Sequence, residues 1–159
     1  MYSLTSIKIL LIDDEKNNRI VLKTMIQNNF PSFRFFFEAD SIETALQIIK
    51  SEEPELVFLD VQLRNESGFD LLQQLTQIKF QVIFVTAHDN FAVKAFRFNA
   101  ADYLLKPILA TELTDAIEKA VKRLNTGNFK SSHPLPSTNS YENTATLFRT
   151  ITINTHRVS

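Results

Sequence analysis

The sequence contains no cysteine, and only two of its 159 residues are glycine, Gly68 and Gly127. Without cysteine, the chain cannot form disulfide bonds, thiolate metal sites or a cysteine nucleophile. Two isolated glycines cannot form the glycine-rich loop with which many nucleotide-binding proteins hold phosphates. The sequence therefore excludes thiol chemistry and a nucleotide site of that kind.

Neither the charge nor the hydrophobicity of the chain is extreme. Its 17 basic and 18 acidic residues give a formal net charge of -1, which does not favour binding to nucleic acid or to an anionic membrane. No apolar run approaches the roughly 18 residues of a membrane span, and the N-terminus lacks the basic-then-apolar pattern of a signal sequence. We therefore expect a cytoplasmic domain with one sizeable core and no membrane partner.

Short apolar runs alternate with segments of helical periodicity over the first 124 residues. The clearest helical stripe runs from Leu113 to Leu124. The runs that we expect to form strands are residues 7–12, 33–37, 56–59, 82–85 and 102–105. Five strands that alternate with five helices predict an α/β fold with a doubly wound parallel sheet.

Helix boundaries are marked unevenly in the sequence. Ser41 and Ser67 precede helical segments and are predicted to be N-caps. Leu109 stands where the last helix should have a polar cap, which predicts a local weakness of about 1 kcal/mol. Glu15 is expected to begin the first helix, where the helix dipole favours an anion.

Polar residues follow four of the predicted strands. Asp13 and Asp14 come after the first strand, and Asp60 ends the third. Thr86 ends the fourth strand and Lys106 ends the fifth. Because ligands of open α/β sheets bind outside the carboxyl ends of the strands, we expect these five residues to surround one crevice.

The residue types in this crevice predict phosphoryl chemistry. The carboxylates of Asp13, Asp14 and Asp60 suit a hard divalent cation, Mg²⁺ first and Mn²⁺ or Ca²⁺ next. Lys106 and Thr86 add a cation and a hydroxyl donor that can stabilise a phosphoryl group during transfer. Asp60 is the best candidate for an aspartyl-phosphate nucleophile, since the adjacent Asp13 and Asp14 are better placed to hold metal.

Four motifs resemble those of the receiver domain of two-component response regulators. They are "LLIDDE", "LVFLDVQL", "VIFVTA" and "DYLLKP", and the resemblance covers about residues 5 to 124. It implies a flavodoxin-like sheet with strand order 2-1-3-4-5, a phospho-acceptor at Asp60 and a sensor histidine kinase as the phosphoryl donor. It also implies a switch protein that slowly loses its phosphoryl group, and no turnover enzyme.

The resemblance assigns a role to each site residue. Asp14 and Asp60 would bind Mg²⁺ directly, and Asp13 would act through a bound water. The main-chain carbonyl of Gln62 would be a further metal ligand. Lys106 would pair with the acceptor and then with the phosphoryl group.

The resemblance also implies a conformational switch. Thr86 would turn towards the phosphoryl group and Tyr103 would swing inward with it, which shifts a pre-existing equilibrium. The output face of the family lies here in residues 89–124 (fourth helix, fifth strand and fifth helix) and can form a symmetric homodimer; a simple solvated face is the alternative. Its charged residues are Lys94, Arg97, Asp102, Lys119, Lys122 and Arg123.

Three further positions take their meaning from the family. Gln62 and His88 occupy the variable positions that govern how water reaches the phosphoryl group in relatives. His88 is expected to be a loop residue rather than a metal ligand, because the other candidate ligands are oxygens. The Lys106-Pro107 peptide bond is cis in most relatives, whereas only about 5–6% of all X-Pro bonds in folded proteins are cis.

The chain changes character after the last predicted helix. We assign residues 1–124 to the receiver domain, residues 125–146, rich in Ser, Thr and Asn, to a flexible linker, and residues 147–159 to the first strand of a truncated output domain. The stretch "TAHDNFAVKAFRFNAADYLLKPI" and the tail "FRTITINTHRVS" resemble proteins with a LytTR-type DNA-binding domain. DNA would then be bound only through the missing output domain, which controls transcription.

Two alternatives stay open at this stage. A phosphatase of the haloacid dehalogenase class also uses an aspartate nucleophile with Mg²⁺, but its nucleophile lies on the first strand in a D-x-D pattern. Here the first strand is followed by Asp13, Asp14, Glu15 and Lys16. A non-phosphorylated interaction module on the same fold is the second alternative, although such modules usually lose an acidic residue or the lysine.

Overall fold

The computed structural model, which describes residues 2–127, contains one five-stranded parallel sheet flanked by five helices. Its strands are β1 (Lys8–Ile12), β2 (Phe35–Ala39), β3 (Leu56–Leu59), β4 (Gln81–Thr86) and β5 (Asp102–Leu105). Its helices are α1 (Lys16–Asn29), α2 (Ile42–Glu52), α3 (Gly68–Gln74), α4 (Ala92–Arg97) and α5 (Ala110–Asn125). The strand order β2-β1-β3-β4-β5 confirms the predicted doubly wound sheet.

The core has two halves because successive strand residues point to opposite faces of the sheet. In β1, Leu10 and Ile12 pack towards α2, α3 and α4, whereas Ile9 and Leu11 pack towards α1 and α5. All four residues of β3 are buried, as expected for a central parallel strand. The sheet is therefore buried on both faces beneath the loops that follow its strands.

The predicted bounds of the second strand were wrong. Residues 33–37 were expected, but β2 begins at Phe35, opposite Lys8 of β1, and continues through Glu38 to Ala39. Phe33 belongs to the preceding turn, where its ring packs 5.5 Å from that of Phe30. The run of phenylalanines conceals the boundary, since Phe33 is buried in the half of the core beside α1 and α5 although it lies outside the strand pairing.

The predicted helix starts agree with the structure. Ser41 accepts a hydrogen bond from the N–H of Thr44, and Ser67 accepts one from the N–H of Phe69. Leu109 is the N-cap residue of α5 and, within residues 2–127, its side chain makes no capping hydrogen bond. Glu15 is the N-cap residue of α1, as expected.

A short antiparallel hairpin after β3 was not predicted. Residues Gln62–Leu63 pair with Glu66–Ser67, and Arg64 at its turn has a φ of 51°.

Within residues 2–127, none of the helices has the length and apolar character that a bilayer span requires. The predicted linker beyond Gly127 and the predicted strand 147–159 lie outside the described residues.

Candidate functional site

The loops after four parallel strands carry the predicted site residues to one edge of the sheet. Asp13 and Asp14 follow β1, and Asp60 follows β3, which pairs directly with β1. Thr86 is the last residue of β4, and Lys106 follows β5. Because neighbouring parallel strands end at the same edge, the register alone brings residues far apart in sequence together.

Three carboxylates form the centre of this edge. Asp13, Asp14 and Asp60 each offer an oxygen, and these oxygens lie within 4.8 Å of one another. Asp13 and Asp60 are buried and Asp14 is half-buried. An all-carboxylate donor set of this size fits a hard divalent cation such as Mg²⁺ better than a metal that prefers nitrogen or sulfur.

Lys106 joins two of these carboxylates. Its Nζ donates to Oδ2 of Asp13 and to Oδ2 of Asp60, each at 2.7 Å. Burial lowers the pKa of Lys106, but its hydrogen bonds and charge interactions with both aspartates outweigh burial and raise that pKa above the ordinary value. The Lys106-Pro107 peptide bond is cis, as the family resemblance implied.

Gln62 lies next to the acidic centre on the hairpin. Its N–H donates to Oδ1 of Asp60 at 3.1 Å, so both oxygens of the Asp60 carboxylate accept a hydrogen bond. This contact places Gln62 at the site, whereas the metal-ligand role of its carbonyl stays a prediction.

Gly68 allows the hairpin to close beneath the acidic centre. Its N–H donates to the carbonyl oxygen of Val61 at 2.7 Å. A Cβ atom at position 68 would lie 2.2 Å from the carbonyl oxygen of Asp60, far closer than van der Waals contact. Glycine is required here for close approach of the backbone.

The two predicted switch residues both contact His88. Thr86 is completely buried, and its hydroxyl oxygen accepts a hydrogen bond from the N–H of His88 at 3.3 Å. The hydroxyl of Tyr103, also buried, donates to the carbonyl oxygen of His88. Burial raises the pKa of Tyr103 to about 12. The structure thus places Tyr103 inward, and the loop before α4 is held by both switch residues.

The charged residues of α4, β5 and α5 make several internal contacts. Lys119 pairs with Asp102 at 3.1 Å, and Arg123 donates to the carbonyl oxygen of Asn99 at 2.9 Å. The Nζ atom of Lys94 lies 4.6 Å from the ring centroid of Phe69. Part of the predicted output face is therefore stabilised within the domain, and its role in dimerisation stays a prediction.

Sequence reasoning missed an apolar cleft next to the acidic centre. The cleft has a volume of about 420 Å³ and lies between α1 and the loop after β5. Its lining includes Val21, Met25 and Ile108, and it reaches Asp13 and Lys106. The sequence carried a signal, because Ile20, Val21 and Leu22 are three consecutive apolar residues, more than one buried stripe of a helix accommodates.

Sequence reasoning also missed Arg19. Its Nη1 donates to the main-chain carbonyl oxygen of Asp13 at 2.6 Å, and its Nε donates to Glu38 at 3.0 Å. A contact to a main-chain carbonyl depends only on backbone position, so no residue type in the sequence marks it.

Comparisons with known proteins agree with this geometry. The family model for the response regulator receiver domain matches residues 9–118. The chain is 41% identical over 118 residues to the sensory transduction protein LytT of Enterococcus faecalis, which covers 73% of this chain and 48% of that protein. It is 41% identical over 123 residues to the sensory transduction protein LytR of Staphylococcus haemolyticus, which covers 76% of this chain and 48% of that protein. The chain thus spans about half the length of these curated relatives.

Solved structures share the same fold. A response regulator receiver domain protein from Clostridium thermocellum matches with a TM-score of 0.66 and 28% identity, over 76% of this chain and 98% of that chain. The receiver domain of NtrX from Brucella abortus matches with a TM-score of 0.62 and 29% identity, over 72% of this chain and 98% of that chain.

Proposed function

This chain belongs to the response regulator receiver family, and from that premise we propose that Asp60 accepts a phosphoryl group from a sensor histidine kinase. The observation that carries the proposal is the position of Lys106, whose Nζ lies 2.7 Å from both Asp60 and Asp13. A cation fixed beside a buried carboxylate is placed to stabilise the charge that a phosphoryl group brings. Lys106 and Thr86 act on this group, and Asp60 is the nucleophile.

The transfer is a displacement at phosphorus. An oxygen of the Asp60 carboxylate forms a bond to phosphorus while the bond between phosphorus and the donor's histidine nitrogen breaks. The electron pair of that bond stays with the imidazole, which then takes a proton from solvent. Lys106 exchanges its contact with Asp60 for a contact with a phosphoryl oxygen, so its ammonium stabilises the negative charge of the phosphoryl group.

Mg²⁺ is the cofactor that we propose for this site. Asp14, Asp60 and the carbonyl of Gln62 would hold it directly, and Asp13 through a water. When bound, Mg²⁺ neutralises part of the phosphoryl charge. Support comes from the carboxylate oxygens that lie within 4.8 Å of one another, which Lys106 only partly neutralises.

Thr86 and Tyr103 are the proposed switch. If the Thr86 hydroxyl turns to a phosphoryl oxygen, it releases the N–H of His88, while Tyr103 continues to hold the carbonyl oxygen of the same residue. The loop before α4 then changes position, and the face of α4, β5 and α5 changes with it. A shift from mostly inactive to mostly active requires on the order of 5 kcal/mol of differential stabilisation.

The kinase is proposed to approach over the apolar cleft. A donor must bring its phosphohistidine to Asp60, and the cleft opens beside Asp13 and Lys106. Val21, which lines the cleft and is 57% exposed, gives this side an apolar surface that a protein partner can cover.

The domain organisation that we propose is supported by the length of the curated relatives, of which this chain spans about half. We propose that residues 1–124 are the receiver, that residues 125–146 are a linker and that residues 147–159 begin a LytTR-type output domain, through which DNA is bound. The protein would work in the cytoplasm, as a switch without enzymatic turnover, and a homodimer would form through α4, β5 and α5.

Intact-mass measurement tests the proposal. Incubation with Mg²⁺ and a small phosphodonor should add one phosphoryl group to the natural sequence and none to Asp60→Asn. Chelation of Mg²⁺ should abolish the addition to the natural sequence. A protein that binds Mg²⁺ but is never modified would refute the proposal, and multiple turnovers of a small phosphate ester would instead indicate a phosphatase.

A further inference from the structure

Arg19 links three parts of the fold near the acidic centre. It lies in the first turn of α1, and only 13% of its side chain is exposed. Its Nη1 donates to the carbonyl oxygen of Asp13 at 2.6 Å, and its Nε pairs with Glu38 of β2 at 3.0 Å. One guanidinium therefore connects α1, the end of β2 and the loop that carries the acidic pair.

Every polar group of Asp13 has a partner. Its N–H donates to the carbonyl oxygen of Ala39 at 3.1 Å, and its carbonyl oxygen accepts from Arg19. Its Oδ1 accepts from the N–H of Glu15 at 2.9 Å, and its Oδ2 accepts from Lys106. The main chain of Asp13 is thus held on both sides by the end of β2, directly through Ala39 and indirectly through Arg19.

The carbonyl that Arg19 holds belongs to the peptide group between Asp13 and Asp14. A peptide group is planar, so a fixed oxygen also fixes the direction in which the chain enters Asp14. The orientation of the Asp14 side chain relative to Asp60 depends on that direction. Arg19 therefore acts on the acidic centre through its contact with the backbone of Asp13.

We propose that Arg19 is a positioning residue that holds the Asp13–Asp14 peptide in the orientation required for Mg²⁺ binding. The proposal rests on the proposed function, since it assumes that the three carboxylates bind Mg²⁺. Residues that orient metal ligands typically change metal affinity by 10- to 100-fold when they are replaced. We expect a loss at the lower end of this range, about tenfold, because Arg19 acts through the main chain.

The sign of the change in affinity separates positioning from a simple charge effect. If Arg19 only added positive charge near the site, its removal would strengthen Mg²⁺ binding, because less repulsion would oppose the cation. If Arg19 positions the peptide, its removal weakens Mg²⁺ binding despite the lost positive charge. Lysine at this position keeps the charge but cannot form the two-pronged contact of a guanidinium.

The experiment is calorimetric titration of the full chain, without phosphodonor, with MgCl₂. Arg19→Gln should weaken Mg²⁺ binding about tenfold, and Arg19→Lys should weaken it by a smaller factor. Lys23→Gln is the matched control, because it removes a positive charge one helical turn later, where the ammonium lies 5.5 Å from the ring centroid of Phe36. We expect the Lys23 variant to bind Mg²⁺ as the natural sequence does, or slightly more tightly.

Each outcome has one meaning. Unchanged or tighter Mg²⁺ binding in Arg19→Gln, with the natural sequence binding normally, would overturn the positioning role. No Mg²⁺ binding by the natural sequence would overturn the proposed function instead. If circular dichroism shows that Arg19→Gln does not fold, Arg19→Lys and Glu38→Gln test the proposal instead. Arg19→Lys should lose more Mg²⁺ affinity than Glu38→Gln, because Glu38→Gln retains the contact between Arg19 and the carbonyl oxygen of Asp13. Equal and unchanged affinity in both would refute the proposal.

Discussion

Replacement of Lys106 by methionine should destabilise the metal-free protein strongly and the Mg²⁺-bound protein weakly. The substitution keeps an unbranched apolar stem but removes the ammonium that lies 2.7 Å from both Asp13 and Asp60. Three carboxylates, with oxygens that lie within 4.8 Å of one another, would then lose the ammonium that contacts two of them. The energy of that repulsion sets the size of the effect.

At an effective dielectric constant of about 20, two unit charges about 5 Å apart repel by about 3 kcal/mol. Removal of one partner from a buried ion pair typically costs about 3–5 kcal/mol. Because Lys106 is 21% exposed and solvent screens part of its charge, we expect a loss at the lower end of this range, about 3 kcal/mol in the free energy of unfolding near neutral pH. Saturating Mg²⁺ should restore most of this loss, because the variant no longer has a cation that competes for the same oxygens.

The assay is urea unfolding followed by circular dichroism, in EDTA and in Mg²⁺. Lys119→Met is the matched control: its ammonium pairs with Asp102 at 3.1 Å but is 54% exposed, so its loss should cost less than about 1 kcal/mol regardless of Mg²⁺. The reasoning fails if Lys106→Met is as stable as the natural sequence in EDTA, or if Mg²⁺ stabilises both equally.

The same lysine predicts a pH dependence of stability. Because the pKa of Lys106 is raised in the folded protein, its contribution to the free energy of unfolding is fully present below its unfolded pKa, near 10.5, and is lost only as the pH rises through its folded pKa.

Three further predictions concern the surrounding structure. In a spectrophotometric titration, the phenol of Tyr103 should ionise near pH 12. Because its pKa is raised from 10.0, the stability that the neutral phenol contributes is lost between pH 10 and about pH 12. Tyr103→Phe should remove both the late ionisation and this loss of stability. Gly68→Ala should lower the free energy of unfolding by about 1–3 kcal/mol, since its Cβ would meet the carbonyl oxygen of Asp60. In Gly127→Ala the Cβ meets no atom within 4 Å, so the positive φ alone should lower the free energy of unfolding by about 1–2 kcal/mol. Leu109→Ser should add the missing cap of α5 and raise the free energy of unfolding, measured in urea, by about 1 kcal/mol; no gain would contradict the capping argument.

The positions of the acidic residues were predictable because parallel sheets impose them. Once strands had been recognised before Asp13 and Asp60, adjacent parallel pairing required both to end at one edge. The N-caps Ser41 and Ser67 were predictable for a local reason: each hydroxyl bonds to an N–H two or three residues later. Such short-range chemistry leaves a signature in the sequence.

Other features could not be predicted because they depend on contacts across the fold. The bounds of β2 follow from its register with β1, which a run of phenylalanines does not reveal. The hairpin after Asp60 closes only because Gly68 lets the backbone approach Asp60. Arg19 contacts a main-chain carbonyl, and any residue type at position 13 would offer one. The resemblance implied an inward Tyr103, but it did not identify the partner of its hydroxyl, which is the carbonyl oxygen of His88.

Chemical trapping of the phosphorylated residue tests the central claim most directly. Borohydride reduces an aspartyl phosphate to homoserine, and peptide mass mapping then identifies the converted position. After incubation with Mg²⁺ and a phosphodonor, we predict that homoserine appears at position 60 and that Lys106→Met forms much less of it. Conversion at Asp13 or Asp14, or a phosphoryl group that borohydride does not remove, would contradict the assignment of Asp60 as the acceptor.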